Sequence, residues 1–253
     1  MQPTGPGDEA DDDDVVDADA AVVAGHEPPS ARTALDRTRI VQAAISFIDE
    51  SGLPGLTMRR LGAALGVEAM SLYRYVPGRE NLLDAVVQAI MQEVDEDEQV
   101  LAAPENGWQD YLQRLAHGVR RVALAHPKAF PLVASRPAEA PWLRPPLRDL
   151  SVVEGFLDAL TGEGFDDATA VGAYRAFTSF LLGHLLLEVA ALGADVGPLD
   201  VVEGGEDLPD DVSPYPSVTR LRQALSEDHS AVEFEESLEN LLDRIALIRS
   251  ESD

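Results

Sequence analysis

Apolar residues recur at helical spacing from Leu35 almost to the C-terminus, and no run of alternating strand residues interrupts them. The pattern predicts an all-α protein. A first helix begins at Leu35, with Asp36 as its cap and Ile40, Val41, Ala44, Ile45, Phe47 and Ile48 as its apolar face; Ser51-Gly52 ends it. Thr57 caps a second, short helix, MRRLGAALG, in which Leu61, Ala64 and Leu65 face inward and Gly66 supplies the terminating turn. A third runs from Glu68 to about Tyr75, with Leu72 and Val76 buried, until Pro77-Gly78 breaks it. The fourth extends from Arg79 beyond Val94 and places Leu82, Leu83, Val86, Val87, Ile90 and Val94 at helical spacing.

After Pro104 the helices lengthen. They are expected at about Gly107 to Ala125, Pro127 to Ala134, Leu147 to Leu160, Asp167 to Leu192, Val218 to Leu225 and Ser230 to Ile248. The proline-rich RPAEAPWLRPP and a Gly/Pro/acid loop from Gly193 to Pro216 separate them. The helix from Asp167 is apolar on nearly every face, so something must surround it. His184 and Glu188 within it argue for a buried helix over a membrane span. The last helix carries a broad stripe of Phe234, Leu238, Leu241, Leu242, Ile245 and Ile248. Two such helices from each of two copies would form a four-helix dimer interface, the alternative being core packing within one chain.

Composition changes this picture in two ways. The 253 residues, 45% of them hydrophobic, suffice for a small domain plus a larger one, and the absence of cysteine excludes disulfides, thiolate metal sites and thiol nucleophiles. The first thirty residues hold no secretory signal, which makes a cytoplasmic protein the expectation. Net charge is -27, which at first argues against a nucleic-acid partner. The acid is unevenly spread, however. Residues 1–34 hold nine acids (Asp8, Glu9, Asp11, Asp12, Asp13, Asp14, Asp17, Asp19 and Glu27) against Arg32 alone and read as a disordered tail. Between residues 55 and 79 stand Arg59, Arg60, Arg74 and Arg79 with only Glu68 against them. Exposed charges are screened beyond about 8 Å at physiological salt, so this patch can meet phosphate while the acid lies elsewhere.

Two short helices joined by a tight glycine turn make a helix-turn-helix reading of residues 57–75. In that reading Ala69, Met70 and Ser71, near the start of the second helix, reach base edges in the major groove. Tyr73, Arg74, Tyr75 and Arg79 are placed for phosphate or base contacts, and the exposed N–H groups at Thr57 suit phosphate oxygens. Taken by themselves, these residues leave an alternative open, in which Tyr73 and Tyr75 cover the small core and the arginines are merely solvated.

The order of residues separates the two. The stretch LDRTRIVQAAISFIDESGLPGLTMRRLGAALGVEAMSLYRYVPGRENLLDAV resembles the TetR family of bacterial repressors almost throughout. More loosely, GWQDYLQRLA, ASRPAEA and FEESLENLLDRI are similar to the regulatory domain of tetracycline repressors. The resemblance implies a three-helix DNA-binding domain at 35–92 and an effector-binding, dimerising domain at 93–253. It implies that Arg59, Ala69, Met70, Ser71 and Tyr75 face bases while Thr57, Tyr73 and Arg79 grip phosphates; Arg60 and Arg74, from the same basic patch, are further candidates for DNA contact. It further implies a homodimer on a palindromic operator, released when an effector swings the fourth helix. Tetracycline repressors carry glutamine and proline where Ala69 and Met70 stand, so the operator should differ.

For the effector, Ser135, Arg136, His184 and Glu188, with apolar Trp142, Phe156, Phe177 and Phe180, are candidates to frame a pocket for a small, mostly apolar molecule. The plainer reading of His184 and Glu188, four residues apart, is a pair satisfied by other polar neighbours. Tetracycline repressors hold a magnesium-drug complex with a histidine at the position of Leu132, which argues against a metal-bound tetracycline here. The five histidines show no two-histidine metal spacing, and no nucleophile-base pair, phosphate-cradling loop or dinucleotide fingerprint is present. The expectation is therefore a regulator that needs no metal or cofactor, not an enzyme. A dimeric ligand-sensing or interaction protein without DNA binding is the alternative.

Overall fold

The computed structural model describes residues 34–97, 100, 107–136, 143, 150–196 and 212–252. Every regular element among them is helical. Asp36 opens α1 (Arg37–Ser51) by accepting the Arg39 backbone N–H at 2.7 Å, and Gly52, at φ 79°, ends it in a conformation that favours glycine. After a single 3₁₀ turn at Leu53–Gly55 come α2 (Met58–Leu65), α3 (Ala69–Leu72) and α4 (Arg79–Asp95). The body follows with α5 (Trp108–Ala125), α6 (Pro131–Ser135), α7 (Leu150–Gly162), α8 (Asp167–Ala191), α9 (Pro216–Ser226) and α10 (Ser230–Ser252).

Two differences from the expected elements have local causes. The third helix is a single turn: the Leu72 carbonyl accepts from both Tyr75 N–H (3.0 Å) and Val76 N–H (2.9 Å), which closes the chain into a turn before Pro77. In α2 the inward positions are Met58, Leu61 and Gly62, while Ala64 faces solvent. The predicted acidic tail, the RPAEAPWLRPP segment after Arg136 apart from the buried Leu143, and most of the loop after Gly193 lie outside the described residues.

α1, α2 and α3 close a small core through Ile40, Ile45, Ile48, Leu61, Leu72 and Val76. α4 belongs to two neighbourhoods, packing on α1 on one side and on α5 and α6 on the other. α8 is long and apolar enough to cross a membrane by length and composition. Here it packs on α5, α7 and α10 and buries Ala173, Phe177, Leu181, Leu185 and Val189. Its outward side carries Gly172, Ala176, Ser179, Gly183 and Leu187, with Leu187 75% exposed. On α9 no residue is buried.

Candidate nucleic-acid interface and effector cavities

The angle between α2 and α3 is set by two glycines. Gly66 takes the left-handed conformation (φ 69°, ψ 29°), and Val67 N–H returns to the Gly62 carbonyl at 2.9 Å. A Cβ at Gly62 would stand 2.9 Å from the Val67 oxygen and 3.1 Å from the Ala69 nitrogen, so the turn lies directly on the helix. Sequence reasoning passed over Gly62. The available signal was a glycine inside a helix that gains nothing there from flexibility and loses about 1 kcal/mol against alanine.

α3 is held from beneath by Leu72 and Val76, both buried, and everything large on its outer side is exposed. Met70 is 73% exposed; Tyr73 and Tyr75 are each 41% exposed. Neither tyrosine belongs to the buried core. Ala69 and Ser71 are half-buried, and Arg59 and Arg74 are exposed on the same two-helix unit. Thr57 accepts the Arg60 backbone N–H at 3.2 Å, so its hydroxyl holds the start of α2.

Two of the predicted contact arginines have work inside the fold. Arg60 donates through Nη1 to the Gly55 carbonyl at 2.9 Å and lies over the Phe47 ring, 4.9 Å from its centroid. Arg79, at the first position of α4, reaches the Leu56 carbonyl through Nε at 3.5 Å and stands 3.9 Å from Glu80. Both tie the α1–α2 connection in place, Arg60 to α2 and Arg79 to α4.

The predicted effector residues that the structure describes do not share one cavity. Phe156 and Phe177 line an apolar cavity of about 40 Å³ enclosed by α4, α5, α6, α7 and α8, alongside Met91, Val133, Tyr174 and Thr178. Burial raises the pKa of the Tyr174 phenol, with its hydrogen bond to Thr178 acting in the opposite sense, so the hydroxyl is neutral at physiological pH. Tyr174 and Thr178, four apart on α8, are the polar part of this lining among the described residues and were not anticipated. Ser135 and Arg136 line a different, wider cavity of about 670 Å³ between the ends of α1 and α8, the start of α4 and α6. Arg136 is engaged there: its guanidinium reaches Asp84 at 2.9 Å and the Glu80 carboxylate at 3.0 Å, pinning α6 to α4.

The remaining candidates sit where α8 meets α10. Phe180 and His184 pack on Phe234, at ring separations of 6.0 and 5.3 Å, and the His184 Nε2 is buried without a hydrogen-bond partner. Glu188 accepts two hydrogen bonds from Arg120 on α5, at 2.6 and 3.0 Å, and that contact raises the arginine's pKa further. Glu188 thus has a polar neighbour in Arg120, whereas the His184 Nε2 has none. Trp142 lies outside the described residues.

A short helix-turn-helix head, the motif by which many DNA-binding proteins enter the major groove, is here set on a larger all-helical body. Residues 40–86 match the model of bacterial regulatory proteins of the tetR family, and residues 101–247 match the tetracyclin repressor-like C-terminal domain. The chain belongs to the TetR family of transcriptional regulators. It is 33% identical to a solved structure, a possible TetR family transcriptional regulator from Streptomyces coelicolor A3(2), with a TM-score of 0.67 covering 85% of this chain and 100% of that one. Among curated proteins it is 32% identical over 155 residues to the HTH-type transcriptional repressor DrrR1 of Streptomyces coeruleorubidus, spanning 61% of this chain and 53% of that protein. The class D tetracycline repressor of Escherichia coli is 31% identical over 60% of this chain and 66% of its own length. The matched region thus spans roughly half to two thirds of these curated relatives. The Streptomyces coelicolor protein ActR, solved with actinorhodin, shares the fold at 24% identity and a TM-score of 0.63 over 87% of this chain and 99% of its own.

Proposed function

We propose that this protein is a ligand-responsive transcriptional repressor that binds a palindromic operator as a homodimer in the bacterial cytoplasm. The observation that carries the reading is the outer side of α3, where Met70, Tyr73 and Tyr75 stand exposed beside Arg59 and Arg74. A methionine on a one-turn helix and two tyrosines in the turn that follows it, exposed together, make a contiguous surface suited to a partner. Arginines alternating with aromatics suit the phosphate backbone and base edges of a duplex. In this reading Arg59, Ala69, Met70, Ser71 and Tyr75 meet bases, Thr57, Tyr73 and Arg79 hold phosphates, and Arg60 and Arg74 add positive potential. Domain limits of 35–92 and 93–253 follow from it, with α4 as the element shared between them.

Dimerisation uses the outward side of α8. Gly172, Ala176, Ser179, Gly183 and Leu187 recur every three or four residues there, and a Cβ on either glycine would meet nothing within 4 Å. Small residues at that spacing admit close approach of a second long helix, and Leu241 and Ile248 on α10 continue the surface into a four-helix contact. The effector is a small, mostly apolar molecule that opens the cavity around Phe156 and Phe177, with the Tyr174 hydroxyl as its polar anchor. Since that cavity holds about 40 Å³, binding must spread its walls, and α4, which contributes Met91, moves with them.

Selection of binding sites from a random duplex library tests the reading. The wild-type protein should enrich a palindrome at moderate salt, and Tyr73→Ala should retain far less duplex of any sequence at that salt. Equal recovery of unrelated sequences by both proteins would favour an interaction or ligand-sensing protein without an operator.

A further inference from the structure

At the corner where α1, α4 and α5 meet, His126 caps the C-terminus of α5 with its ring between two carboxylates. Nδ1 lies 2.7 Å from Asp49 Oδ2 on α1, and Nε2 lies 3.3 Å from Glu93 Oε2 on α4. Asp49 falls within the segment matched to the N-terminal family model, and His126 within that matched to the C-terminal one. Glu93 sits on the helix between them. The ring and Asp49 are largely enclosed, at 20% and 22% side-chain exposure, whereas Glu93 is 40% exposed.

A neutral imidazole carries one N–H and can satisfy only one of two acceptors; the imidazolium carries two and satisfies both. Asp49 also has its second oxygen, Oδ1, buried without a hydrogen-bond partner, so it depends on His126 for compensation of its charge. Other charges at this corner are engaged. Lys128 donates to the Glu50 carbonyl at 3.0 Å, and Arg121 pairs with Asp97 just past the end of α4. The exposed Glu50 adds negative potential from α1. No group of three or more potential ligands among the described residues is arranged to hold a metal ion.

We propose that His126 is a proton-operated latch: protonated, it staples α1 and α4 to α5, and on losing its proton it releases α4. The arrangement raises the pKa of His126, first through the hydrogen bond to Asp49, with the coulombic pull of Asp49 and Glu93 adding to it and burial opposing it. The folded value thus lies above the unfolded one of about 6.5. The stabilisation is complete below about pH 6.5 and disappears as pH rises through the raised folded value. Glu93 lets go first, because its contact is the longer and more exposed of the two. The helix thereby freed is the one whose first residue, Arg79, reaches the entrance to α2.

The test follows the full-length chain by two-dimensional NMR of the imidazole nitrogens, together with hydrogen exchange of α4 amides, across pH 6 to 9. His126 should titrate above the ordinary histidine range, and Glu93→Gln should bring its midpoint down. After correction for intrinsic exchange rates, α4 should lose protection as pH rises in the wild type. In His126→Gln it should be poorly protected at every pH. The folding constant should fall by about tenfold for each unit by which the midpoint is raised. A midpoint at the ordinary value, or α4 protection that ignores pH, would overturn the latch. Should His126→Gln not fold, the shift of the midpoint in Glu93→Gln decides: a lowered midpoint supports the latch and an unmoved one overturns it. The consequence for DNA rests on the operator reading: affinity for duplex should change over the same pH range in the wild type and not in His126→Gln. A protein that shows the titration and the loosening yet binds no duplex would sink the operator reading and leave the latch standing.

Discussion

Two of the regions that expose large apolar side chains differ in their neighbours. On the head, Met70, Tyr73 and Tyr75 share a surface with Arg59 and Arg74. On the body, Leu187 of α8 and Val232 and Leu247 of α10 are exposed, and Glu235 and Glu236 stand one helical turn from Val232. Exposed apolar area calls for a partner in both places. The company it keeps decides which kind. Arginines beside aromatics attract a polyanion, whereas an acidic border repels one and leaves another helix of protein as the suitable cover. An overall charge of -27 hides this division, because the two surfaces never act at the same place.

The largest effect should come from breaking the body surface alone. Leu187→Glu places two like charges in the proposed contact and removes two buried leucines, a loss of at least about 3 kcal/mol over both copies. That corresponds to a dimer weakened more than about a hundredfold. Sedimentation should show monomers at concentrations where the wild type is dimeric, with the helical content of each chain unchanged. An unchanged dimer would move the contact off this side of α8. Gly62→Ala sharpens the comparison from the other side. Its Cβ meets the Val67 carbonyl at 2.9 Å, so the α2–α3 turn must give way, at a cost of about 1 to 3 kcal/mol. Thermal unfolding and duplex affinity should both fall while the dimer constant stays put. If duplex affinity survived, the angle between α2 and α3 would not be what presents the reading surface.

The head was largely legible in the sequence because its determinants are local. Asp36 and Gly52 bracket α1 within a few residues of the apolar pattern they delimit, and Thr57 and Gly66 do the same for α2. Where the reading erred, a local interaction competed with periodicity. Tyr75 and Val76 both bond to Leu72 and cut α3 to one turn, and the close return of the chain onto Gly62 decides which side of α2 is covered. The body was legible as helices but not as a site. Nothing in a one-dimensional pattern says that Arg136 will turn to Asp84 and Glu80, 52 and 56 residues away, while Phe156 and Phe177 turn to another cavity. His126 escaped for the same reason, since its partners lie 77 and 33 residues off along the chain.

The central claim is that the exposed side of α3 reads DNA, with separate residues for sequence and for backbone. Its most direct test is a competition titration by fluorescence anisotropy, at one fixed salt concentration, of the selected palindrome against a scrambled duplex. Met70→Ala should lower the ratio of the two affinities by about 1 kcal/mol, or roughly fivefold, by removing an apolar base contact. Tyr73→Ala should weaken both duplexes alike and leave the ratio where it was. Identical behaviour of the two variants, or a ratio indifferent to Met70, would contradict the assignment of α3 as the reading element.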